Sequence, residues 1–210
     1  MTNAELIPLF STPLFKTRIE SHSISTDILE SLEYRNYSDG TGQQSISTKI
    51  LLSKPFNDLR NEIEKHLSTY VFGMLKIGQG QLAHVQSWIN KHSPGDYAPK
   101  HHHVNSCYSG VYYLHVPTGS GSIIFSKSPS NMEQILAHPT EGNLWNSSVW
   151  DFPVRSGDLI IFPSHLTHAV PVNKSDDTRY SVAFNYFLEG VLGDNTGQIN
   201  LRIQSWTCMI

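Results

Sequence analysis

Residues 109–126 read Ser-Gly-Val-Tyr-Tyr-Leu-His-Val-Pro-Thr-Gly-Ser-Gly-Ser-Ile-Ile-Phe-Ser. Two runs rich in β-branched and aromatic residues, Ser109–Val116 and Ser122–Ser126, flank the turn residues Gly119-Ser120-Gly121. This pattern predicts two strands joined by a turn. The same reasoning predicts further strands on both sides: Gln81–Asn90, Leu159–Pro163, His168–Val172, Tyr180–Phe187 and Ile199–Ile203. Many short strands separated by turn residues indicate a sandwich or a jelly roll.

The first third of the chain has a different pattern. Residues Leu9–Ile19 are expected to be extended, and a short helix is predicted over Thr26–Tyr34 with Thr26 as its cap. A clearer helix follows Pro55. Its apolar residues recur at helical spacing on one face: Leu59, Ile63, Leu67, Tyr70, Val71 and Met74. The expected fold is therefore mainly β, with the N-terminal helices packed on one outer face of a jelly roll.

A length of 210 residues favours a single domain over 1–210. Residues 1–78 form the strand and helix lead-in, and 79–210 form the jelly-roll core. Residues 127–150 show no clear periodicity and are expected to be an insertion, either a lid or binding loop or a plain surface loop.

Composition excludes several classes of protein. The net charge of −3 argues against a nucleic-acid backbone as the main partner, since such binding usually needs a basic face. Two cysteines do not make a disulfide scaffold. No signal peptide and no apolar run long enough to cross a membrane are visible, so a cytoplasmic protein is expected, with a homodimer left open.

Three consecutive histidines, His101-His102-His103, are the first candidate for chemistry. On an extended segment His101 and His103 point the same way and His102 points away, so two imidazoles are available for one metal. Downstream, a strand begins after Gly157-Asp158 and is followed by His165 and His168. His168 opens the next apolar alternation and is the better third ligand, whereas His165 is expected on the turn.

A second candidate is the pair Arg179 and Ser181. Residues i and i+2 of a strand share one face, and an arginine can bind both oxygens of a carboxylate. The alternative is an arginine in an ordinary surface salt bridge.

Taken together, these residues resemble the 2-oxoglutarate/Fe(II)-dependent dioxygenase superfamily. That family carries a His-x-Asp pair, a distal histidine, and an arginine about ten residues later, often followed by serine two positions on. Here His101-x-His103, His168 and Arg179-x-Ser181 appear in that order. Residues Gly110–Leu114 also resemble a strand of the prolyl-hydroxylase-like branch. A group of uncharacterised bacterial and viral members is resembled more narrowly, in Ser87-Trp88-Ile89-Asn90, His103-x-Asn105-Ser106, Ser109–Tyr113 and Phe162-Pro163-Ser164.

The resemblance implies a double-stranded β-helix oxidoreductase that uses Fe(II), 2-oxoglutarate and O2, hydroxylates a C–H bond and releases succinate and CO2. It implies Arg179, Ser181 and Tyr113 as co-substrate contacts. We place Asn90 and Trp88 in the pocket beside them, with ordinary core and turn packing as the alternative. The substrate is left open between a peptide or protein side chain and a small metabolite. Competing hypotheses are a cupin-like metal enzyme without 2-oxoglutarate, a non-catalytic jelly-roll module, and a nucleic-acid demethylase of the same superfamily.

One position departs from the family pattern. His103 stands where the superfamily has Asp or Glu. A site of three neutral imidazoles leaves Fe(II) more positive by one charge, which should strengthen its hold on an anionic co-substrate. We therefore predict His101, His103 and His168 as the ligands, with Asp96 as the alternative carboxylate.

Overall fold

The computed structural model describes residues 5–20, 22–38, 41–127 and 139–203. Two α-helices are present in these ranges, α1 over Thr26–Glu30 and α2 over Asn57–Ser68. The strands are β1 (Phe15–Arg18), β2 (Tyr34–Asn36), β3 (Gln43–Ser45), β4 (Gln81–His92), β5 (Ala98–His101), β6 (Tyr108–His115), β7 (Ile123–Ser126), β8 (Val149–Phe152), β9 (Asp158–Pro163), β10 (Thr167–Val170), β11 (Arg179–Leu192) and β12 (Ile199–Leu201). Short 3-10 turns at Ile50–Leu52 and Lys54–Phe56 precede α2, and a π-helical turn over Thr69–Met74 follows it.

The strands form two antiparallel sheets. The major sheet has the order β1-β9-β6-β11-β4-β3-β2, with β12 added to β11. The minor sheet has the order β5-β10-β7-β8. In the runs β1-β9-β6-β11-β4 and β5-β10-β7, neighbouring strands are not consecutive in sequence, as expected for a double-stranded β-helix rather than a series of hairpins.

The outer face of the major sheet packs against the N-terminal helices, as predicted. Leu59, Ile63 and Leu67 of α2 are buried, and Tyr70 and Val71 continue the same face into the π-helical turn. They contact apolar residues of β4, β6 and β11 in one core cluster. Met74 was wrongly placed on this face: it is 61% exposed, because the wider π-helical turn shifts it away from the sheet.

The start of α1 also differs from the prediction. Ser25 is the cap: its backbone is extended and its Oγ accepts from the Ile28 N–H at 3.4 Å. Thr26, predicted as the cap, is the first helical residue, and the helix ends at Glu30, before Tyr34. Ser and Thr are both good caps, so the sequence does not determine which of the two neighbours takes that role.

The predicted strands are found with shifts at their ends, and four further strands appear. β2, β3 and β5 were missed because they are short and polar. β8 begins at the end of the stretch predicted as an irregular insertion over 127–150 and extends two residues beyond it, where Val149–Phe152 pairs with Ile123–Ser126. Residues 128–138 of that insertion lie outside the described residues. In the part of the chain described here, no helix has the length and apolar character needed to span a membrane.

Candidate active site

Three histidine side chains from two chain segments meet at the mouth between the sheets. His101 ends β5 and is the cross-strand partner of His168 on β10. His103 follows β5, and its backbone N–H donates to the Ser164 carbonyl at 2.9 Å. One ring nitrogen from each of the three lies within 4.8 Å of the other two. Pairing of β5 with β10 thus brings the predicted ligand set together across 67 residues of chain.

Hydrogen bonds orient two of the three rings. The Nδ1 atoms of His101 and His168 lie 2.7 Å from the Pro99 carbonyl and 3.0 Å from the Leu166 carbonyl. A carbonyl accepts only, so each Nδ1 carries the proton and each Nε2 keeps a free lone pair. Histidines that bind metals are typically oriented by such a bond on the second nitrogen.

Burial keeps two of the three imidazoles in the uncharged form that can bind a metal ion. Burial is the main cause that lowers the pKa of His103 to about 3 and that of His168 to about 4, and the neighbouring imidazoles lower both further. At neutral pH these two rings are therefore uncharged, which is the form that binds a metal ion.

Three other candidate groups lie outside the cluster. His102 is exposed, and His165 is exposed on the turn before β10, as expected. Asp96 accepts the Ser93 N–H at 2.8 Å and exchanges backbone hydrogen bonds with the segment at Asn173. Its carboxylate closes a turn, and it is not among the described residues whose ligand atoms share the 4.8 Å group.

The second predicted group lies on the inner face of the major sheet. Ser181 of β11 is the register partner of Asn90 on β4 and of Tyr113 on β6. Arg179 lies two residues before Ser181 and therefore on the same face. All four line one cavity of about 400 Å³, together with His101, His103 and His168. The structure thus brings the arginine pair and the histidines into one space.

Arg179 is held firmly although it is charged. It is 2% exposed, its Nη1 donates to the carbonyls of Ser120 and Ser122 at 3.1 and 3.2 Å, and its Nη2 donates to Ser122 at 3.2 Å. Its guanidinium also lies 5.2 Å from the centre of the Tyr113 ring. Among the described residues it has no carboxylate partner.

Tyr113 carries an unpaired hydroxyl. The side chain is 1% exposed, and its OH has no hydrogen-bond partner among the described residues. Burial raises its pKa to about 12, although the nearby charge of Arg179 acts in the opposite direction. Buried hydroxyls are normally paired, so this one is available to a ligand in the cavity.

Asn90 and Trp88 line the cavity on β4, as predicted. The Asn90 Oδ1 accepts from the Trp88 Nε1 at 2.9 Å and from the Gln44 Nε2 at 3.4 Å. The Trp88 ring meets the His103 ring edge-on with centroids 5.8 Å apart. Asn90 therefore orients Trp88, and Trp88 packs against a predicted metal ligand.

His92, Arg35 and Gln44 are among the lining residues that sequence reasoning missed. His92 is 6% exposed and is the register partner of Arg179. His92 lies two residues after Asn90 and four residues after Trp88, and this spacing on a strand predicts that all three share one face. Arg35 and Gln44 come from β2 and β3, two strands too short and polar to be recognised from their sequence.

Residues 86–185 match the model of a protein family described as "Putative 2OG-Fe(II) oxygenase". This range contains all three histidines, Arg179 and Ser181. The matched segment, a little under half of the chain, is similar to the 2-oxoglutarate/Fe(II)-dependent oxygenases. No curated sequence matches the chain.

Several solved structures share the fold of this chain. HygX from Streptomyces hygroscopicus, crystallised with nickel, 2-oxoglutarate and hygromycin B, matches with a TM-score of 0.57 at 14% identity, over 84% of this chain and 83% of that one. A Pseudomonas putida prolyl-4-hydroxylase matches with a TM-score of 0.53 at 13% identity, over 86% and 95%. The epimerase SnoN from nogalamycin biosynthesis matches with a TM-score of 0.56 at 16% identity, over 84% and 80%. At these identities the likeness shows the double-stranded β-helix fold alone.

Proposed function

We propose that the protein is an oxygenase that binds Fe(II) through His101, His103 and His168, uses 2-oxoglutarate and O2, and hydroxylates an unactivated C–H bond while releasing succinate and CO2. The observation that carries the proposal is Arg179. A guanidinium that is 2% exposed and lacks a carboxylate partner among the described residues is costly to bury. An anionic ligand in the cavity, beside the histidines, would compensate that charge.

The donor set suits a divalent first-row metal. Imidazole binds iron well, and both rings with carbonyl-bonded Nδ1 atoms present Nε2 to the space they share. Burial keeps His103 and His168 neutral, so no proton has to leave before a metal ion binds. When bound, iron with O2 and 2-oxoglutarate supplies the oxidising power needed to cleave a C–H bond.

The remaining residues bind and orient the co-substrate. Arg179 has donors left after its three bonds to carbonyls, and a carboxylate facing it would accept them. The unpaired Tyr113 hydroxyl and the Ser181 hydroxyl lie on the same face and complete that site. The bonds to Ser120 and Ser122 fix the guanidinium in advance, which lowers the entropic cost of binding.

Succinate release tests the proposal. The purified protein is supplied with Fe(II), 2-oxoglutarate and O2, and succinate is measured with and without a set of candidate substrates. We expect release that requires added iron, that is lost in His168→Ala and that persists in His102→Ala. Tight metal binding without 2-oxoglutarate binding would favour a cupin-like enzyme, and failure to bind any metal would favour a non-catalytic module.

A further inference from the structure

A row of polar side chains crosses five strands of the major sheet. Register pairs connect Tyr113 to Ser181, Ser181 to Asn90, Asn90 to Gln44, and Gln44 to Arg35. All five line the same cavity. Because strands are about 4.8 Å apart, Arg35 lies about 10 Å across the sheet from Asn90. The row therefore runs from the proposed co-substrate site to the opposite rim.

The face that Arg35 presents is set by its neighbours. Tyr34, one residue earlier on β2, packs against the helix-side core and donates its hydroxyl to the Leu29 carbonyl at 2.8 Å. Alternation along a strand then places Arg35 on the cavity side. Arg35 takes part in none of the ion pairs among the described residues.

The strand that contacts the histidine cluster lies between the strands of two arginines. Trp88, which contacts His103, is on β4. Arg179 is on β11, on one side of β4, and Arg35 is two strands away on the other side. If Arg179 holds the co-substrate, Arg35 is the cation left for the substrate.

The charge balance of the cavity points the same way. The protein carries a net charge of −3, yet the described residues that line the cavity include Arg35 and Arg179 and no Asp or Glu. With three neutral imidazoles, the charges of a divalent ion and of dianionic 2-oxoglutarate cancel, and both arginine charges remain. A cavity walled by one sign of charge attracts ligands of the opposite sign.

We infer that the substrate is a small anionic molecule, bearing a carboxylate or a phosphate, and that Arg35 with Gln44 binds that group at the β2–β3 rim. This inference rests on the proposed function, since it assigns Arg179 to the co-substrate. A cavity of about 400 Å³ is in the range that accommodates small molecules. Gln44 donates to Asn90, which holds its amide in the row beside Arg35.

Binding without turnover tests the inference. The protein is loaded with Ni(II) and saturating 2-oxoglutarate, so that Arg179 is occupied and no reaction follows. Two sets of matched probes are titrated by calorimetry: N-acetyl amino acids against their primary amides, and phosphate monoesters against the parent alcohols. We expect one anionic set to bind at least tenfold more tightly than its neutral counterparts, and which set does so identifies the carboxylate or the phosphate.

Variants locate the effect. Arg35→Gln should abolish the preference for the anion, and Arg35→Lys should retain part of it, because lysine keeps the charge but not the planar fork. Arg202→Gln, which removes an exposed arginine elsewhere, should leave it unchanged. Equal binding of charged and neutral probes, no binding of either, or an undiminished preference in Arg35→Gln would overturn the inference. Failure of 2-oxoglutarate itself to bind would instead overturn the proposed function.

Discussion

The two faces of strands β4, β6 and β11 differ sharply although they are built from alternating residues of the same segments. The face toward the helices is almost wholly apolar in its central part: Ile89, Tyr112, Leu114, Val182 and Phe184. The face toward the cavity carries the polar and charged side chains: Asn90, His92, Tyr113, Arg179 and Ser181. Adjacent residues such as Tyr112 and Tyr113 therefore belong to different environments.

This difference separates stability from function along one backbone. Each large apolar side chain buried on the helix side contributes roughly 1.5–3 kcal/mol to folding. On the cavity side, the buried charge of Arg179 and the unpaired hydroxyl of Tyr113 cost free energy until a ligand pairs with them. Changes on one face should consequently alter melting, and changes on the other should alter binding.

The largest expected effect is loss of the metal. His103→Ala should remove iron binding, and with it succinate formation, because two imidazoles alone hold a divalent ion weakly. His103→Asp replaces a neutral ligand with an anion in the usual position of the family and should bind iron again. The metal content of both variants and of Asp96→Ala after dialysis decides whether His103 or Asp96 is the third ligand. Full occupancy in His103→Ala together with loss in Asp96→Ala would transfer the ligand role to Asp96.

The next effect in size concerns the co-substrate. Arg179→Ala should weaken 2-oxoglutarate binding by about 30-fold or more, since truncating one partner of a buried charged pair typically costs about 2–5 kcal/mol. Arg179→Lys should recover only part of this affinity. Titration with 2-oxoglutarate at constant metal concentration measures the change, and metal affinity serves as the control. Equal affinities in parent and Arg179→Ala would remove the assigned role.

The separation of the two faces also explains which site residues could be grouped together from the sequence. Strand alternation places Trp88 and Asn90 together, and the i, i+2 spacing of Arg179 and Ser181 predicts a shared face. The same spacing makes His101 and His103 a pair. These predictions depend on local periodicity, which a single sequence contains.

Features that depend on pairing between distant segments were not accessible in this way. Nothing in Gln43–Ser45 indicates that it extends the sheet beside β4, so Gln44 and Arg35 were missed. The meeting of His101 and His168 was expected, but the strand that ends at His101 was not recognised. The prediction for Met74 was wrong for another reason. A π-helical turn changes the angle between successive residues of a helix, and the spacing of apolar residues does not indicate that change.

A change on the helix side should affect stability alone. Gly110 of β6 lies opposite Phe184, and a Cβ at this position would come within 2.3 Å of the Phe184 ring and 2.8 Å of the Ile160 carbonyl. Gly110→Ala should therefore lower the free energy of unfolding by about 1–3 kcal/mol through overpacking. Gly78→Ala is the matched control, since a Cβ there meets nothing within 4 Å. Denaturant unfolding of both variants measures the contrast, and similar losses in the two would contradict the close packing at Gly110.

The smallest expected effect comes from a comparison of two adjacent tyrosines, Tyr112 and Tyr113, which lie on opposite faces of β6. Tyr113→Phe removes a buried hydroxyl that has no partner among the described residues, so the ligand-free protein should keep its stability within about 1 kcal/mol. The same change should weaken 2-oxoglutarate binding by about fivefold to tenfold, the loss expected when one hydrogen bond of about 1 kcal/mol is removed. Tyr112→Phe is the control on the opposite face, where the hydroxyl contacts the Ile19 carbonyl at 3.5 Å.

Tyr112→Phe should leave 2-oxoglutarate affinity unchanged, because its ring lies in the helix-side core. Calorimetric titration with the co-substrate and thermal melting without it, on both variants, give four numbers that test the separation directly. If Tyr113→Phe binds 2-oxoglutarate as the parent does, the hydroxyl takes no part in the co-substrate site. If it instead melts well below the parent with binding intact, Tyr113 belongs with the stabilising residues, and the boundary between the two faces lies elsewhere on β6.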